Sequence, residues 1–196
     1  MVESSLKSSP IYAPKDREQL LNKIIDNKVY ILGEFDSTIS EFIVPALADE
    51  IEKLKGQKDP FIEFYINSIG GSAYELFSLL SLMDFARLEG IKIITKVIGI
   101  AHSCGSLLAV YGDERYMCRW GTNLMHYGTA YTAASTPLQV ERQSLELQEH
   151  FKKIEKIYAE HTKLNIQQIR SLMKDDSCYL QASECLKNGL CDLVVG

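Results

Sequence analysis

The sequence contains no apolar run that approaches the roughly 20 residues a membrane-spanning helix needs. Its first residues are polar and include no apolar stretch of the kind found in a secretory signal. Basic residues are outnumbered by acidic ones, and the formal net charge of -5 leaves no basic footprint for a nucleic-acid partner. These absences favour a cytoplasmic protein that binds neither membrane nor nucleic acid.

Paired-cysteine and nucleotide-binding motifs are also absent. The cysteines include no Cys-x-x-Cys pair, and their odd number argues against a disulfide framework and against a zinc site. Neither G-x-G-x-x-G nor G-x-x-x-x-G-K-[ST] occurs. We therefore expect reduced thiols in a reducing compartment, no metal and no cofactor. The cysteines are Cys104, Cys118, Cys178, Cys185 and Cys191.

The sequence does contain a regular alternation of strand-like and helix-like segments. Such an alternation is typical of α/β folds with parallel strands and crossover helices. We expect residues 1–15 to form a flexible arm and residues 16–196 to form a single domain. The predicted strands are 28–35, 60–68, 91–100, two short ones within 114–130, and both ends of 179–195. The predicted helices are 16–26, 36–57, 73–90, a short one after Ser103, 136–163, 165–175 and the middle of 179–195.

The segment VIGIAHSCGSLLAVYG, residues 97–112, places Ser103 between a predicted strand and a predicted helix. A serine there is either a helix N-cap or a nucleophile beside free backbone N–H groups. The nucleophile motif G-x-S-x-G is half present, since Ala101 replaces its first glycine and Gly105 keeps its second. The segment alone leaves both interpretations open.

Two further features could complete a hydrolytic site. His126 lies in NLMHYG, where a histidine is either a packed core residue or a general base. His150 and His161 fall on the charged predicted helix 136–163, and we expect both to be solvated. The pair Gly70-Gly71 is either a tight turn or a place where backbone N–H groups approach a ligand closely.

Together these motifs resemble the proteolytic subunit of the Clp protease family (ClpP). FYINSIGGSA, GIAHSCGSLLA and RYMCRWGTNLMHYGTA follow one another at that family's separations. EHTKLNIQQIR and YLQASECLKNGLCDLV continue the resemblance, which covers about residues 28–195. It implies a ClpP/crotonase-like α/β fold of repeated strand-strand-helix units with a protruding handle helix, residues 136–163.

The resemblance also implies roles for individual residues. Ser103 matches the nucleophile and His126 matches the general base. Gly71 and Cys104 match the two residues whose backbone N–H groups form the oxyanion hole. The sequence departs from the family where Ile69 replaces a proline before the glycines, and again where a glutamine after the base is replaced by Tyr127.

The acid of the expected Ser-His-Asp triad falls in KDDSCYL. Counting forward from His161 places it on Asp176, whereas counting back from Tyr179 places it on Ser177. We choose Asp176, because a carboxylate both orients an imidazole and stabilises the imidazolium.

The family further implies an assembly and its partners. We expect a homo-oligomer of two stacked seven-membered rings, a tetradecamer, joined through the handle helix. An AAA+ ATP-dependent unfoldase would dock on apolar surface pockets near Tyr65, Phe85 and Tyr116, and unfolded polypeptides would be the substrates.

Two other functions stay open at this point. The first is a catalytically silent structural subunit that assembles with active ones, which the shifted acid and the altered turn at Ile69 favour. The second is a crotonase-type enzyme acting on a CoA thioester, since that superfamily has a related fold and a backbone oxyanion hole. Ser103 and His126 have no evident role in such an enzyme.

Overall fold

The computed structural model of the protein describes residues 22–128, 136–174 and 178–196. The predicted arm, residues 1–15, lies outside these ranges, and so do Asp176 and Ser177. The strands are β1 (Lys23–Ile25), β2 (Lys28–Ile31), β3 (Glu34–Phe35), β4 (Phe61–Ser68), β5 (Gly70–Gly71), β6 (Lys92–His102), β7 (Glu114–Cys118), β8 (Thr122–Leu124), β9 (Tyr179–Gln181) and β10 (Leu193–Val195). The helices are α1 (Val44–Leu54), α2 (Ala73–Leu88), α3 (Cys104–Val110), α4 (Pro137–His161), α5 (Ile166–Met173) and α6 (Ala182–Asn188).

A mixed sheet with a parallel centre organises the fold. Its strand order is β1-β2-β4-β6-β7-β10, in which all neighbours run parallel except β1 and β2. Buried side chains alternate along β4, as expected for a strand with one face on the core. Helices cross between the parallel strands, so the predicted α/β class is confirmed.

Strand β6 changes its neighbour halfway along, and this change positions the candidate site. Residues 94–97 pair with β7, whereas residues 100–102 pair with β8. At the change, the Ile100 N–H donates to Asn67 Oδ1 over 3.0 Å. A Cβ at Gly99 would lie 2.3 Å from that oxygen, so only glycine allows the contact. The end of β6, which leads into Ser103, is thereby directed toward β8.

Helix α1 shows how a proline inside an apolar period is accommodated. Residues 39–43 form a π-helical turn, and the α-helix begins at Val44 with Pro45 in its first turn. Proline fits there because the first N–H groups of a helix have no intrahelical partner. Pro45 therefore marks the start of the α-helix within the predicted range 36–57 and does not kink it.

Helix α4 occupies the predicted range 136–163 as one continuous element. Thr136 and Gln139 form a capping box at its start, with Pro137 in the first turn. Its C-terminal half packs on the core through Ile154 and Tyr158. Its N-terminal half exposes Leu138, Val140 and Leu145. No helix in the described part of the chain combines the length and apolarity needed to cross a membrane.

The structure corrects the predicted helix 16–26 where it describes that range. Lys23–Ile25 is a strand that pairs antiparallel with β2. Asp26 takes a positive φ of 51° in the intervening turn. The buried Asn22 amide accepts the N–H groups of Leu32 and Gly33 and so fixes the chain before the hairpin. Strand pairing and this side-chain bond replace the helix that the local pattern suggested.

The two histidines predicted to be solvated are partly buried. The His150 ring packs edge-on against the rings of Tyr74 and Phe77. The His161 ring lies 4.6 Å from the Tyr111 ring, and burial lowers the pKa of His161. Fewer side chains of α4 are therefore fully solvated than the sequence suggested.

A buried hydrogen-bonded chain joins α4 to the segment after Ser103. Tyr158 Oη donates to Ser106 Oγ over 2.8 Å, and Ser106 Oγ donates to Asn123 Oδ1 over 2.8 Å. Tyr158→Phe should lower the free energy of unfolding by about 1 kcal/mol, because one buried hydrogen bond is lost. Ser106→Ala should cost more, about 2–3 kcal/mol, because it leaves two buried partners unsatisfied. Urea unfolding of both variants checks the order, which equal midpoints would contradict.

Candidate active site

Ser103 lies between the end of β6 and the start of α3 with an unusual backbone conformation. Its φ is 54° and its ψ is −120°, a region that residues other than glycine rarely adopt. The Ser103 N–H donates to the Leu124 carbonyl over 2.9 Å, and the Ser103 carbonyl accepts the Ser106 N–H over 2.9 Å. Strand β8 and helix α3 thus hold this strained conformation in place.

The Ser103 side chain does not act as a helix cap. Ser103 occupies the N-cap position of α3, but its side chain makes no capping hydrogen bond. The residue lines a cavity instead. Its position is that of a cap, whereas its hydroxyl does not perform the cap's function. This sharp strand-to-helix turn is the arrangement that presents a serine hydroxyl in hydrolases with a nucleophile elbow.

The Gly70-Gly71 pair packs directly against Ser103. Gly70 has a φ of 102°, and a Cβ there would lie 2.5 Å from Ser103 Cβ and 3.0 Å from its Oγ. Gly71 has a φ of 141°, and a Cβ there would lie 2.6 Å from the Phe35 carbonyl oxygen. The pair forms the short strand β5 beside β3, and its backbone approaches Ser103 closely, whereas an approach of its N–H groups to a ligand stays a prediction.

Cys104 is tied to the same glycine turn. Its buried thiol donates to the Gly71 carbonyl over 3.2 Å, so the two residues expected to supply oxyanion-hole N–H groups are in contact. Burial raises the pKa of the Cys104 thiol to about 11. The thiol therefore stays protonated at neutral pH and acts as a hydrogen-bond donor, not as a competing nucleophile.

His126 follows β8 and lines the same cavity as Ser103. Ser103 and the strand that leads to His126 are joined by the Ser103 N–H bond to Leu124 described above. Gly128 then turns the chain with a φ of 79°. The structure thus brings the predicted nucleophile, the predicted base and both predicted oxyanion residues to one cavity.

The neighbouring His102 belongs to a different environment. One of its ring nitrogens, Nε2, lies 3.1 Å from Thr122 Oγ1, and its ring packs edge-on against Tyr179. Burial, with the nearby His126 as a second cause, lowers the pKa of His102. His102 is therefore neutral at neutral pH, and its ring is held by Thr122 of β8 and Tyr179 of β9.

The cavity has a volume of about 600 Å³ and a largely apolar wall. Helix α4 supplies much of that wall, and α3 contributes Leu107. The wall also contains polar groups, since Tyr74 and Glu146 line it and the Tyr74 hydroxyl donates to Glu146 Oε1 over 2.8 Å. Such a cleft suits an extended chain with apolar side chains and a few polar contacts. The apolar residues from α4 are Val140, Leu147, Phe151 and Ile154.

Asp176 and Ser177 lie outside the described residues, so their role stays a prediction. The chain that follows them is placed, since Tyr179 of β9 pairs with Leu124 of β8. Leu124 precedes His126 by two positions. Among the residues that the structure describes, no group of three His, Cys, Asp or Glu side chains could hold a metal ion.

Sequence reasoning missed two contributors to the cavity. Tyr74 and His150 line it in contact with each other, although Tyr74 was assigned only to a helix and His150 to solvent. The helical spacing held a signal for His150, because it lies between Leu147 and Phe151 on the apolar stripe of α4. Nothing local in the sequence indicated Tyr74.

Comparisons with known proteins agree with the geometry. The sequence matches the Clp protease family over residues 15–196. It is 28% identical to the ATP-dependent Clp protease proteolytic subunit of Bigelowiella natans over 175 residues, which are 87% of this chain and 84% of that protein. It is 32% identical to the subunit of the same name from Deinococcus radiodurans over 136 residues, 68% of this chain and 64% of that protein. With a match that spans nearly its whole length and contains the serine turn, the glycine pair and the histidine segment, the chain belongs to the Clp protease family.

Proposed function

We propose that the protein is a serine endopeptidase subunit that cleaves unfolded polypeptides and short peptides. The observation that carries this proposal is Ser103, held at a φ of 54° with its side chain uncommitted to capping, on one cavity with His126. Family membership supplies the reaction class, which is acyl transfer to a serine followed by hydrolysis.

The proposed reaction uses residues of this chain alone. His126 accepts the proton of the Ser103 hydroxyl while Oγ attacks the peptide carbonyl. The backbone N–H groups of Gly71 and Cys104 stabilise the oxyanion of the tetrahedral intermediate. His126 then protonates the leaving amine, and a water molecule deprotonated by His126 hydrolyses the acyl-enzyme. Asp176 would accept the other imidazole N–H and stabilise the imidazolium.

The proposed assembly is a homo-oligomer of two stacked heptameric rings with an AAA+ unfoldase as partner. Exposed Leu138, Val140 and Leu145 on α4 offer an apolar surface for contact between the rings. A second cavity of about 370 Å³, lined by Tyr116 and Ile98, offers a place for the unfoldase to dock. Tyr65 donates a hydrogen bond to Glu63, which lines this cavity, whereas Phe85 is exposed and is not among the lining residues.

The test of this function is labelling of the full chain with a fluorophosphonate, together with hydrolysis of a fluorogenic peptide. We expect the label on Ser103 by mass spectrometry, and Ser103→Ala should lose both labelling and hydrolysis. Ser81→Ala is the matched control, because it removes an exposed helix hydroxyl that bonds only the Phe77 carbonyl among the contacts described.

Three outcomes would overturn the proposal, each in a different way. Hydrolysis that persists in Ser103→Ala would exclude Ser103 as the nucleophile. Assembled rings with neither labelling nor hydrolysis would indicate the silent structural subunit. Tight binding of coenzyme A without peptide hydrolysis would favour the crotonase-type enzyme.

A further inference from the structure

The segment that carries His126 is held by side chains and not by secondary structure. Residues 125–128 follow β8 and belong to neither a strand nor a helix. Sheet hydrogen bonds, which fix the neighbouring residues 122–124, therefore do not fix His126 itself. The side-chain contacts of the next residue, Tyr127, further restrict this segment.

Tyr127 connects this segment to helix α4. Its hydroxyl donates to Glu155 Oε1 over 2.5 Å, and its ring lies 4.6 Å from the Phe151 ring. Both partners belong to α4, whose residues also form the wall of the cavity. Because Tyr127 shares a peptide bond with His126, anchoring its side chain limits rotation of the His126 backbone.

Glu155 is an unusual residue to find at this place. It is only 7% exposed, and a buried carboxylate is costly unless it is paired and hydrogen-bonded. Arg170 supplies that pairing with two hydrogen bonds, from Nε over 3.0 Å to Oε1 and from Nη2 over 2.8 Å to Oε2. The carboxylate thus accepts three hydrogen bonds in total, and its position is fixed from two sides.

Arg170 extends the connection to a third element. It belongs to α5, which ends at Met173, shortly before the stretch that contains Asp176 and Ser177. Tyr127, Glu155 and Arg170 therefore join the base segment to the helix that walls the cavity and to the helix that precedes the predicted acid.

The protonation states of the three groups suit a permanent connection. The hydrogen bonds from Arg170 lower the pKa of Glu155, so the carboxylate stays ionised at neutral pH. Burial and the Glu155 carboxylate raise the pKa of Tyr127 to about 12, so its hydroxyl remains a donor. The connection is lost at acid pH as the pH falls through the lowered pKa of Glu155, and at alkaline pH as it rises through the raised pKa of Tyr127.

We propose that Tyr127, Glu155 and Arg170 are positioning residues that hold His126 in its working orientation toward Ser103. This inference rests on the proposed function, since it assigns His126 as the base. None of the three is expected to touch the reacting atoms, so they act through His126. Their removal should slow the chemical step more than it weakens substrate binding.

The test compares Tyr127→Phe with Tyr111→Phe in the full chain. Each variant loses one hydroxyl that donates to a carboxylate, because the Tyr111 hydroxyl bonds Asp84 over 2.9 Å. The two tyrosines differ in that Tyr111 does not line the cavity. For Tyr127→Phe we expect kcat for a fluorogenic peptide and the rate of fluorophosphonate labelling to fall about tenfold, with KM unchanged within about twofold. Tyr111→Phe should match the unmodified chain in all three.

A double-mutant cycle adds a readout that a simple loss of stability would not produce. Glu155→Gln keeps an acceptor for Tyr127 but removes the charge that pairs with Arg170. If the residues act as one unit, the double variant Tyr127→Phe/Glu155→Gln should lose less kcat than the product of the fold-losses of the two single variants. Independent, multiplicative effects would contradict a joint positioning role.

The outcomes separate this inference from the proposed function. An active, labelled chain in which Tyr127→Phe behaves like Tyr111→Phe would overturn the positioning role and leave the peptidase assignment intact. An unmodified chain that neither reacts with the fluorophosphonate nor hydrolyses the peptide would exclude the peptidase assignment. In either case, NMR of the chain with ¹³C-labelled histidine reports the orientation of the His126 ring through its ring resonances. Altered His126 resonances in Tyr127→Phe alone would support positioning, and unchanged resonances would exclude it.

Discussion

Gly70→Ala is expected to lower peptide hydrolysis by about 10²-fold or more, because a methyl group there displaces Ser103, the proposed nucleophile. The new Cβ would lie 2.5 Å from Ser103 Cβ, a distance that forces one of the two backbone segments to move. The φ of 102° adds strain, since L-residues rarely adopt this conformation. Overpacking and backbone strain together should lower the free energy of unfolding by about 2–5 kcal/mol.

Gly90→Ala is the matched control for this substitution. Gly90 also has a positive φ, 78°, but a Cβ there would meet no atom within 4 Å. It should lose about 1 kcal/mol of stability through backbone strain alone and keep its activity. Urea unfolding and initial rates of peptide hydrolysis measure both quantities. Equal activity of the two variants would show that the glycine turn does not constrain Ser103.

The elements of the fold could largely be predicted because their sequence periods are strong. The parallel strands β4 and β6 carry β-branched and aromatic residues, and α2 buries Leu76, Leu79 and Met83 at helical spacing. The hairpin at Lys23–Ile25 escaped prediction because its cause is not local. It depends on pairing with β2 and on hydrogen bonds that Asn22 accepts from residues ten or more positions away.

Some features of the candidate site could likewise be predicted from the sequence, whereas others depend on contacts between distant residues. Ser103, Gly70-Gly71 and His126 became candidates because their motifs follow one another at the separations of the Clp protease family, whereas the local pattern around each left two interpretations open. The positive φ of Ser103 could not be foreseen, because the Ser103 N–H bonds the carbonyl of Leu124 in a different strand, a contact that the local sequence does not indicate. The contact between Tyr127 and Glu155 joins residues 28 positions apart, a separation at which local patterning gives no guidance.

Asp176→Asn is expected to lower kcat by about 10⁴-fold, the size of effect seen when a triad aspartate is replaced by its amide. A carboxylate accepts the second imidazole N–H and offsets the positive charge that His126 gains in the transition state. An amide can hold the wrong tautomer and carries no charge, so KM should change little while the chemical step fails. Steady-state hydrolysis of a short peptide by the full chain measures both parameters.

Two neighbours in the same segment make this comparison decisive. Asp175→Asn removes an identical charge one position away and should leave kcat within about threefold of the unmodified chain. Ser177→Ala should do the same if Asp176 is the acid. The reverse pattern, with Ser177→Ala impaired and Asp176→Asn active, would mean that a neutral hydroxyl orients His126. The imidazolium would then lack a carboxylate, and the enzyme would depend more heavily on the oxyanion hole and on Tyr127 for its rate.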